Sequence, residues 1–228
     1  MYNYTPSYCS NCPYMQLLRN VPDNAVTADS RDMNFSNDEI KGNLRIPVLK
    51  GSTNPRVLSY INSNLENDIL EFKRQMENAA SENAATKKTQ NKPVIPFQIS
   101  NTYSISYNKN NLISLSLIYT EIIDGISYYI RASYNYGLDS GRSLQLQDLF
   151  KPGTDYKKAI NTEILNSLDK NTSFKGISDN QSFYLDGNNL VIFLGFNEIG
   201  FSPSDIPVIR IPFSKLSTML KPELLRNI

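Results

Sequence analysis

The feature that most constrains the fold is a series of alternating apolar and polar residues interrupted by short turn sequences. Residues 103–107 (YSISY) alternate in this way, a turn at 108–111 follows, and residues 112–120 return. The same arrangement recurs on both sides of 124–125 and of 186–189. A period of two is typical of half-buried strands, and turns rich in Asn, Asp and Gly connect antiparallel neighbours. The chain is therefore predicted to build an antiparallel sheet.

Two segments have the period of amphipathic helices instead. Asn54 and Pro55 supply an N-cap and a first-turn proline, and a helix is predicted from there to residue 80 or beyond. Its apolar face consists of Leu58, Ile61, Leu65, Ile69, Phe72 and Met76. The polar residues 81–92 are predicted to fray into a linker. A second helix is predicted to begin at residues 152–154, with Tyr156, Ile160, Ile164, Leu165 and Leu168 on its apolar face.

The order of these elements predicts an α+β fold. We expect an antiparallel sheet with one long and one medium helix packed on one face, and a short C-terminal helix over residues 213–220. The first strand is predicted to end at Pro47, and residues 143–147 to form another short strand. Residues 1–38 are predicted to be an extended polar tail. Residues 39–228 form the domain, with a strand–helix–linker part at 39–97 and a sheet part at 98–228.

Histidine is absent from all 228 residues, which excludes several classes of enzyme and metal protein. Serine and cysteine nucleophiles paired with histidine, His-ligated zinc and haem on a proximal histidine all need that side chain. We therefore expect no cofactor and no bound metal. The formal net charge of +1 provides no long-range attraction to nucleic acid or to an anionic membrane.

Nothing in the sequence resembles a membrane segment or a leader. The longest nearly apolar stretch, residues 190–196, is far shorter than the ~20 residues of a membrane helix. The first residues, MYNY, lack the basic and apolar regions of a secretory signal. The chain as written is thus expected in the cytoplasm, with the spore or the cell surface as alternatives.

Several short motifs follow one another in an order that resembles a known bacterial family. They are IPVL at 46–49, SYNY at 133–136, SGR at 140–142, LQDLF at 146–150, FYL at 183–185, LVIF at 190–193 and IPF at 211–213. Together they are similar to the extracytoplasmic domain of the lysozyme-sensing anti-sigma factor RsiV and to the module before the catalytic domain of the peptidoglycan deacetylase PdaC. The resemblance covers about residues 39–220 and implies an α+β binding module without catalytic residues. The chain departs from the family at 124–127 (DGIS), where a turn containing histidine is common.

Five residues of one strand region are candidate ligand-binding residues: Tyr128, Tyr129, Arg131, Tyr134 and Tyr136. Alternation places Tyr128, Tyr134 and Tyr136 on one face, and Tyr129 and Arg131 on the other. Aromatic side chains combined with arginine suit the recognition of proteins and glycans. Ordinary sheet packing is the alternative, because tyrosine favours strands.

Cys9 and Cys12, in the predicted tail, are the only cysteines. A thioredoxin-like role would place such a pair at the start of a helix after a strand, which the tail does not offer. Cross-linking between subunits or to an envelope partner, shared metal binding between chains, and unimportant reduced thiols stay open.

The leading hypothesis is a non-enzymatic binding module whose partner is an envelope protein or a cell-wall glycan. The alternative is a self-assembling structural protein of a bacterial surface or spore layer, a homo-oligomer cross-linked through Cys9 and Cys12. A third hypothesis is a hydrolase that uses two carboxylates without histidine. Its candidate residues are Glu121, Asp124, Asp139 and Asp148.

Overall fold

The computed structural model describes residues 26–51, 54–168, 174–194 and 208–225. The strands are β1 Thr27–Ser36, β2 Ile40–Lys50, β3 Phe97–Lys109, β4 Leu112–Ile123, β5 Ile126–Gly137, β6 Phe183–Asp186, β7 Asn189–Phe193 and β8 Val208–Pro212. The α-helices are α1 Pro55–Thr89, α2 Tyr156–Ser167 and α3 Phe213–Leu216, and 3-10 turns cover Leu146–Leu149 and Pro222–Leu225. The predicted α+β class is confirmed, with one long, one medium and one short helix.

The strands divide into two sheets, where the sequence pattern predicted one. The larger sheet has the order β1-β2-β3-β4-β5, and the smaller has the order β6-β7-β8. All neighbours are antiparallel except β2 and β3, which run parallel over Ile40–Asn43 because α1 carries the chain across between them. Alternation identifies a strand but not its neighbours, so it could not separate the two sheets.

Helix α1 begins where the sequence predicts and is longer than predicted. The Asn54 side chain accepts a hydrogen bond from the N–H of Arg56 at 3.0 Å, which satisfies one of the free donors of the first turn. Residues 81–89 continue the helix, because Ala80 and Ala84 extend the buried face at a spacing of four. The prediction of a frayed linker there was wrong.

Residues 27–36, which were assigned to the polar tail, form β1. This strand pairs with β2 from Thr27 opposite Lys50 to Ser36 opposite Lys41. Its apolar residues Met33 and Phe35 are only half buried and stand among polar neighbours, so the alternation was weak in the sequence. The predicted boundary at residue 38 therefore falls inside the first hairpin. Cys9 and Cys12 lie outside the described residues.

Strand β2 continues through Pro47, where it was predicted to end. Asn101 pairs with both backbone groups of Arg45, at 2.6 Å to its N–H and 2.9 Å to its C=O. Asn62 on α1 does the same for Leu49, at 2.7 and 3.0 Å. Pro47 lies between these two residues and faces the same edge. Its missing N–H therefore breaks no bond of the strand ladder.

Segment 143–147 is not the predicted strand. Ser143 makes one isolated bridge to Tyr136, and the 3-10 turn Leu146–Leu149 follows at once. Asp148 accepts a hydrogen bond from the N–H of Gln145 at 2.8 Å. This local bond stabilises the turn rather than an extended strand.

Each sheet has its own apolar core. Helix α1 covers one face of the larger sheet, with Ile61, Leu65 and Ile69 fully buried against it. The core of the smaller sheet includes Ile160 and Ile164 of α2. The two helices thus pack against different sheets.

A buried polar network joins the two sheets. The Ser114 hydroxyl on β4 donates to the Asn135 side-chain oxygen on β5 and accepts from the N–H of Leu185 on β6 at 2.9 Å. The Asn135 amide donates to the C=O of Phe183 at 2.9 Å. Ser114 and Asn135 lie on the face opposite α1, so β6 crosses that face at one end of β4 and β5.

Replacing Asn135 by leucine should lower the free energy of unfolding by about 2–4 kcal/mol, because the Phe183 C=O then lacks its donor and the Ser114 O–H lacks its acceptor in a buried site. Urea denaturation followed by circular dichroism measures the change. Asn43→Ala removes an exposed bond to Asn34 and should change the value by less than ~0.5 kcal/mol. Equal midpoints for both variants would show that this network does not hold the sheets together.

Candidate ligand-binding face

The face of the larger sheet opposite α1 carries rows of polar side chains. One row crosses all five strands, because the register places these residues directly opposite one another in turn. Its members are Asn34, Asn43, Ser100, Thr120 and Tyr129. Tyr129 stands at the end of the row on β5 and is 40% exposed. A predicted ligand residue is thus aligned with four small polar side chains from other strands.

The neighbouring rows enlarge this polar surface. Lys41 and Gln98 are exposed on one side of the first row, and Arg131 is half buried on the other. A concavity of about 670 Å³ lies over β1–β4, and its lining includes Phe35, Ile99 and Ile122 beside the polar residues but no residue of β5. We call this surface the open face, and define it by Asn34, Lys41, Asn43, Gln98, Ser100, Thr120, Tyr129 and Arg131.

The smaller sheet sets the limit of the open face. The Arg131 guanidinium lies 5.7 Å from the ring centre of Tyr184 on β6 and donates to the Ser116 hydroxyl at 2.9 Å. Within the described part of the chain no carboxylate pairs with Arg131, and its buried Nε atom has no hydrogen-bond partner. Cation–π contact and a single hydroxyl bond thus hold a positive charge at the rim of the face.

Tyr128, Tyr134 and Tyr136 lie on the side of the sheet that faces α1. Tyr136 is buried and Tyr134 half buried. The Asp68 carboxyl of α1 interacts with the Tyr134 phenol, and the Asn64 amide interacts with the Tyr136 phenol. Of the five predicted ligand residues, only Tyr129 and Arg131 therefore belong to the open face.

The phenols under α1 have strongly perturbed acidity. Burial raises the pKa of Tyr119 and that of Tyr136 to about 12, and it raises the pKa of Tyr134 further. Burial also raises the pKa of the Asp68 carboxyl, although the bond from Tyr134 opposes the shift. The three tyrosines therefore stay protonated at neutral pH. Together with Asp68 they pack α1 on the sheet.

The four carboxylates considered for hydrolysis have separate structural surroundings. Glu121 is buried on the side of α1, and this burial raises its pKa. Asp124 forms an ion pair with Lys87 at 2.9 Å. Asp148 binds Arg142 at 3.1 Å and also holds the 3-10 turn, and Asp139 accepts a bond from Ser140 at 3.1 Å. The described residues contain no group of three or more His, Cys, Asp or Glu side chains arranged to hold a metal ion.

None of the helices in the described ranges combines the length and the apolar composition that a membrane crossing requires.

Comparisons with known proteins match two parts of the sequence to family models and the fold to two solved bacterial structures. Residues 33–121 match the family model described as deacetylase PdaC, and residues 147–214 match that of a family of unknown function, DUF3298. A DUF3298 member from Bacteroides fragilis is similar over 87% of this chain and 94% of its own, with a TM-score of 0.64 and 16% identity. A DUF3298 protein from Pseudomonas aeruginosa is similar over 91% and 98%, with a TM-score of 0.56 and 18% identity.

The predicted resemblance to the PdaC module and its domain family is thereby confirmed. At these identities the solved structures show a common fold. The two matched regions are of the accessory and uncharacterised types and are not catalytic deacetylase domains. No curated protein matches the sequence.

Most of the open face could not be predicted from the sequence. Asn34 lay in the segment taken for a tail, and Asn43 and Ser100 are ordinary strand residues separated by a helix of 35 residues. In the structure each one faces away from α1. Their alignment follows only from the strand register, which sequence periodicity does not specify.

The phenol pKa values predict how stability changes at alkaline pH. A raised pKa means that the folded state binds the proton more tightly than the unfolded state, where a phenol has a pKa of about 10. The resulting stabilisation is complete below about pH 10 and is lost as the pH rises through about 12. The free energy of unfolding should therefore fall over this range.

Phenolate absorbance in the folded protein, compared with that in denaturant, measures the effect. Part of the signal of the fourteen tyrosines should appear only above about pH 11 in the folded state. Tyr119→Phe should reduce the absorbance that appears above about pH 11 by the contribution of one phenol. A folded-state titration that coincides with the denatured one would contradict the buried cluster.

Proposed function

We propose that this chain is a non-enzymatic binding module whose ligand is an envelope protein or a cell-wall glycan. The resemblance to the PdaC module supports the envelope setting, since the deacetylase named in that family acts on the cell wall. The observation that carries the proposal is the open face, where an uncovered polar row across five strands ends in an exposed tyrosine.

The chemistry of this face suits a neutral, hydrogen-bonding ligand. Amides such as those of Asn43 and Gln98 both donate and accept, and hydroxyls such as those of Ser100 and Thr120 do the same. Tyr129 adds an aromatic surface with a polar tip. Sugar hydroxyls and acetamido groups, or an exposed polypeptide backbone, present complementary groups.

Charge contributes at the two sides of the face rather than at its centre. Lys41 is exposed on one side, and Arg131 lies on the other without a carboxylate partner among the described residues. Both could pair with the carboxylates of cell-wall peptides or of an acidic protein surface. Charges at the rim mainly affect the association rate and its dependence on salt.

Binding to two probes tests the proposal: insoluble peptidoglycan by co-sedimentation, and lysozyme by calorimetry. We expect the full chain to bind at least one of them. Tyr129→Ala should weaken binding about tenfold, or ~1.4 kcal/mol, which is typical of the loss of an aromatic side chain that contacts the ligand.

Tyr60→Ala is the matched control, because Tyr60 is 56% exposed but lies on α1, away from the open face. It should leave the affinity unchanged. Equal effects of the two substitutions, or no binding to either probe, would contradict the proposal. Release of sugars or acetate from peptidoglycan by the purified chain would contradict its non-enzymatic part.

The second candidate is a self-assembling structural protein of a bacterial surface or spore layer. Two observations support it: the Cys9 and Cys12 pair in the N-terminal segment, and exposed apolar side chains on β5. This candidate predicts large species on non-reducing gels that collapse with reductant and are absent from the Cys9→Ser/Cys12→Ser variant. A small, uniform species under all these conditions would exclude disulfide-linked assembly.

A further inference from the structure

Strand β5 is an edge strand of the larger sheet with an accessible, unusually apolar surface. Ile126, Tyr129 and Ile130 are 57%, 40% and 47% exposed. Arg131 is the only charged residue in its twelve positions. An edge of this kind is a template for another strand unless the protein protects it.

The opposite edge of the same sheet has the protection that β5 lacks. Three of the ten residues of β1 are charged: Asp29, Arg31 and Asp32. Each forms an ion pair, with Lys50, Glu66 and Arg45 respectively. Charged side chains on an edge discourage strand addition, so the two edges of this sheet are built differently.

The backbone hydrogen bonds at the C-terminal end of β5 show which of its residues direct their N–H and C=O groups away from β4. The C=O of Asn135 accepts from Leu144, and the N–H of Gly137 donates to Arg142, so both residues face outward. Residues two apart on a strand face the same edge, and the pairing of β5 with β4 is unbroken. The outward groups are therefore those of Ser127, Tyr129, Arg131 and Ser133.

No described residue bonds to these four residues along that edge. At one end the bond between Asn135 and Leu144 closes the edge, and at the other the turn at 124–125 ends the strand. The free outward positions are thus 127, 129, 131 and 133, and their midpoint is Ile130.

We propose that this edge pairs with the same edge of a second copy of the chain, antiparallel about Ile130, to form a twofold dimer with a continuous ten-stranded sheet. In a twofold interface each residue of one copy meets its counterpart in the other. A free stretch that is symmetric about one residue suits this arrangement, because every outward group then finds a partner.

The side chains agree with this register. Ser127 comes opposite Ser133 of the second copy, and Tyr129 comes opposite its Arg131, on the same side as the open face. An arginine beside a tyrosine ring is a favourable pair. Ile130 meets its own counterpart on the α1 side and buries apolar surface that is exposed in the monomer. A shift that centred the pairing on Arg131 would instead place two like charges opposite each other.

The dimer places both open faces on the same side, because the twofold axis is perpendicular to the sheet, and it brings the Tyr129 and Arg131 side chains of the two faces together. It needs neither cysteine. The proposal is therefore independent of disulfide assembly, and it does not depend on which ligand the open face binds.

Sedimentation equilibrium of the full-length Cys9→Ser/Cys12→Ser variant tests the dimer. We expect a mass that rises with concentration to twice the monomer mass of 25.9 kDa. Ile130→Lys should increase the dissociation constant at least tenfold, because it buries a lysine opposite its copy. Tyr60→Lys, at an exposed site on α1, should leave the constant unchanged.

Cysteine cross-linking tests the register separately. Ile130 falls in a pair whose backbone groups face away from each other, where Cα atoms are about 4.5 Å apart, a separation that a disulfide can span. In the background without native cysteines, Ile130→Cys should form a covalent dimer on mild oxidation. Tyr128→Cys should not, since it lies opposite Ala132, but it should cross-link when mixed with Ala132→Cys.

A monomer at all concentrations, with no cross-link at Ile130→Cys, would overturn the proposal. If the chain is monomeric and Ile130→Lys instead abolishes binding of lysozyme or another protein probe, the edge belongs to a different partner and the dimer is also rejected. If Tyr129→Ala no longer binds peptidoglycan or lysozyme but still forms the dimer, the result bears on ligand binding by the open face and not on the dimer.

Discussion

Two buried polar side chains, Ser114 and Asn135, join the smaller sheet to the larger one, beside the apolar contact that Tyr107 of β3 makes with the core of the smaller sheet. The loss of a hydrogen bond in a buried site is costly, because the polar group left without a partner destabilises the fold by ~1–3 kcal/mol. Their bonds to the backbone of β6 fix where that strand crosses β4 and β5. That position decides which part of the sheet face is covered and which part remains open.

The open face and the free edge follow from this arrangement. Helix α1 occupies one face of the larger sheet, and the smaller sheet occupies one end of the other. What remains uncovered is the polar row that ends at Tyr129, next to an edge strand whose outward backbone groups are free from Ser127 to Ser133 among the described residues. Tyr129 belongs to both surfaces, so ligand binding and pairing of two copies would meet at one residue.

The predictions from sequence succeeded where local chemistry decides the structure. The apolar face of α1 and its cap at Asn54 were found because helical spacing and capping need only nearby residues. β1 was missed because its half-buried face is mostly polar, and it is a strand only through its pairing with β2. Of the five aromatic and arginine candidates, alternation separated the two faces of β5 correctly, but it could not show that α1 covers Tyr134 and Tyr136.

The sequence by itself determined the α+β class, the long helix, the hairpins around 108–111, 124–125 and 186–189, and the absence of histidine chemistry. These properties depend on periodicity, turn residues and composition, which are all local. Only the tertiary structure decided the division into two sheets, the row of side chains from Asn34 to Tyr129 and the free edge of β5. Each of these depends on pairing between residues far apart in the chain, and the energy of such pairing lies in contacts that no local pattern encodes.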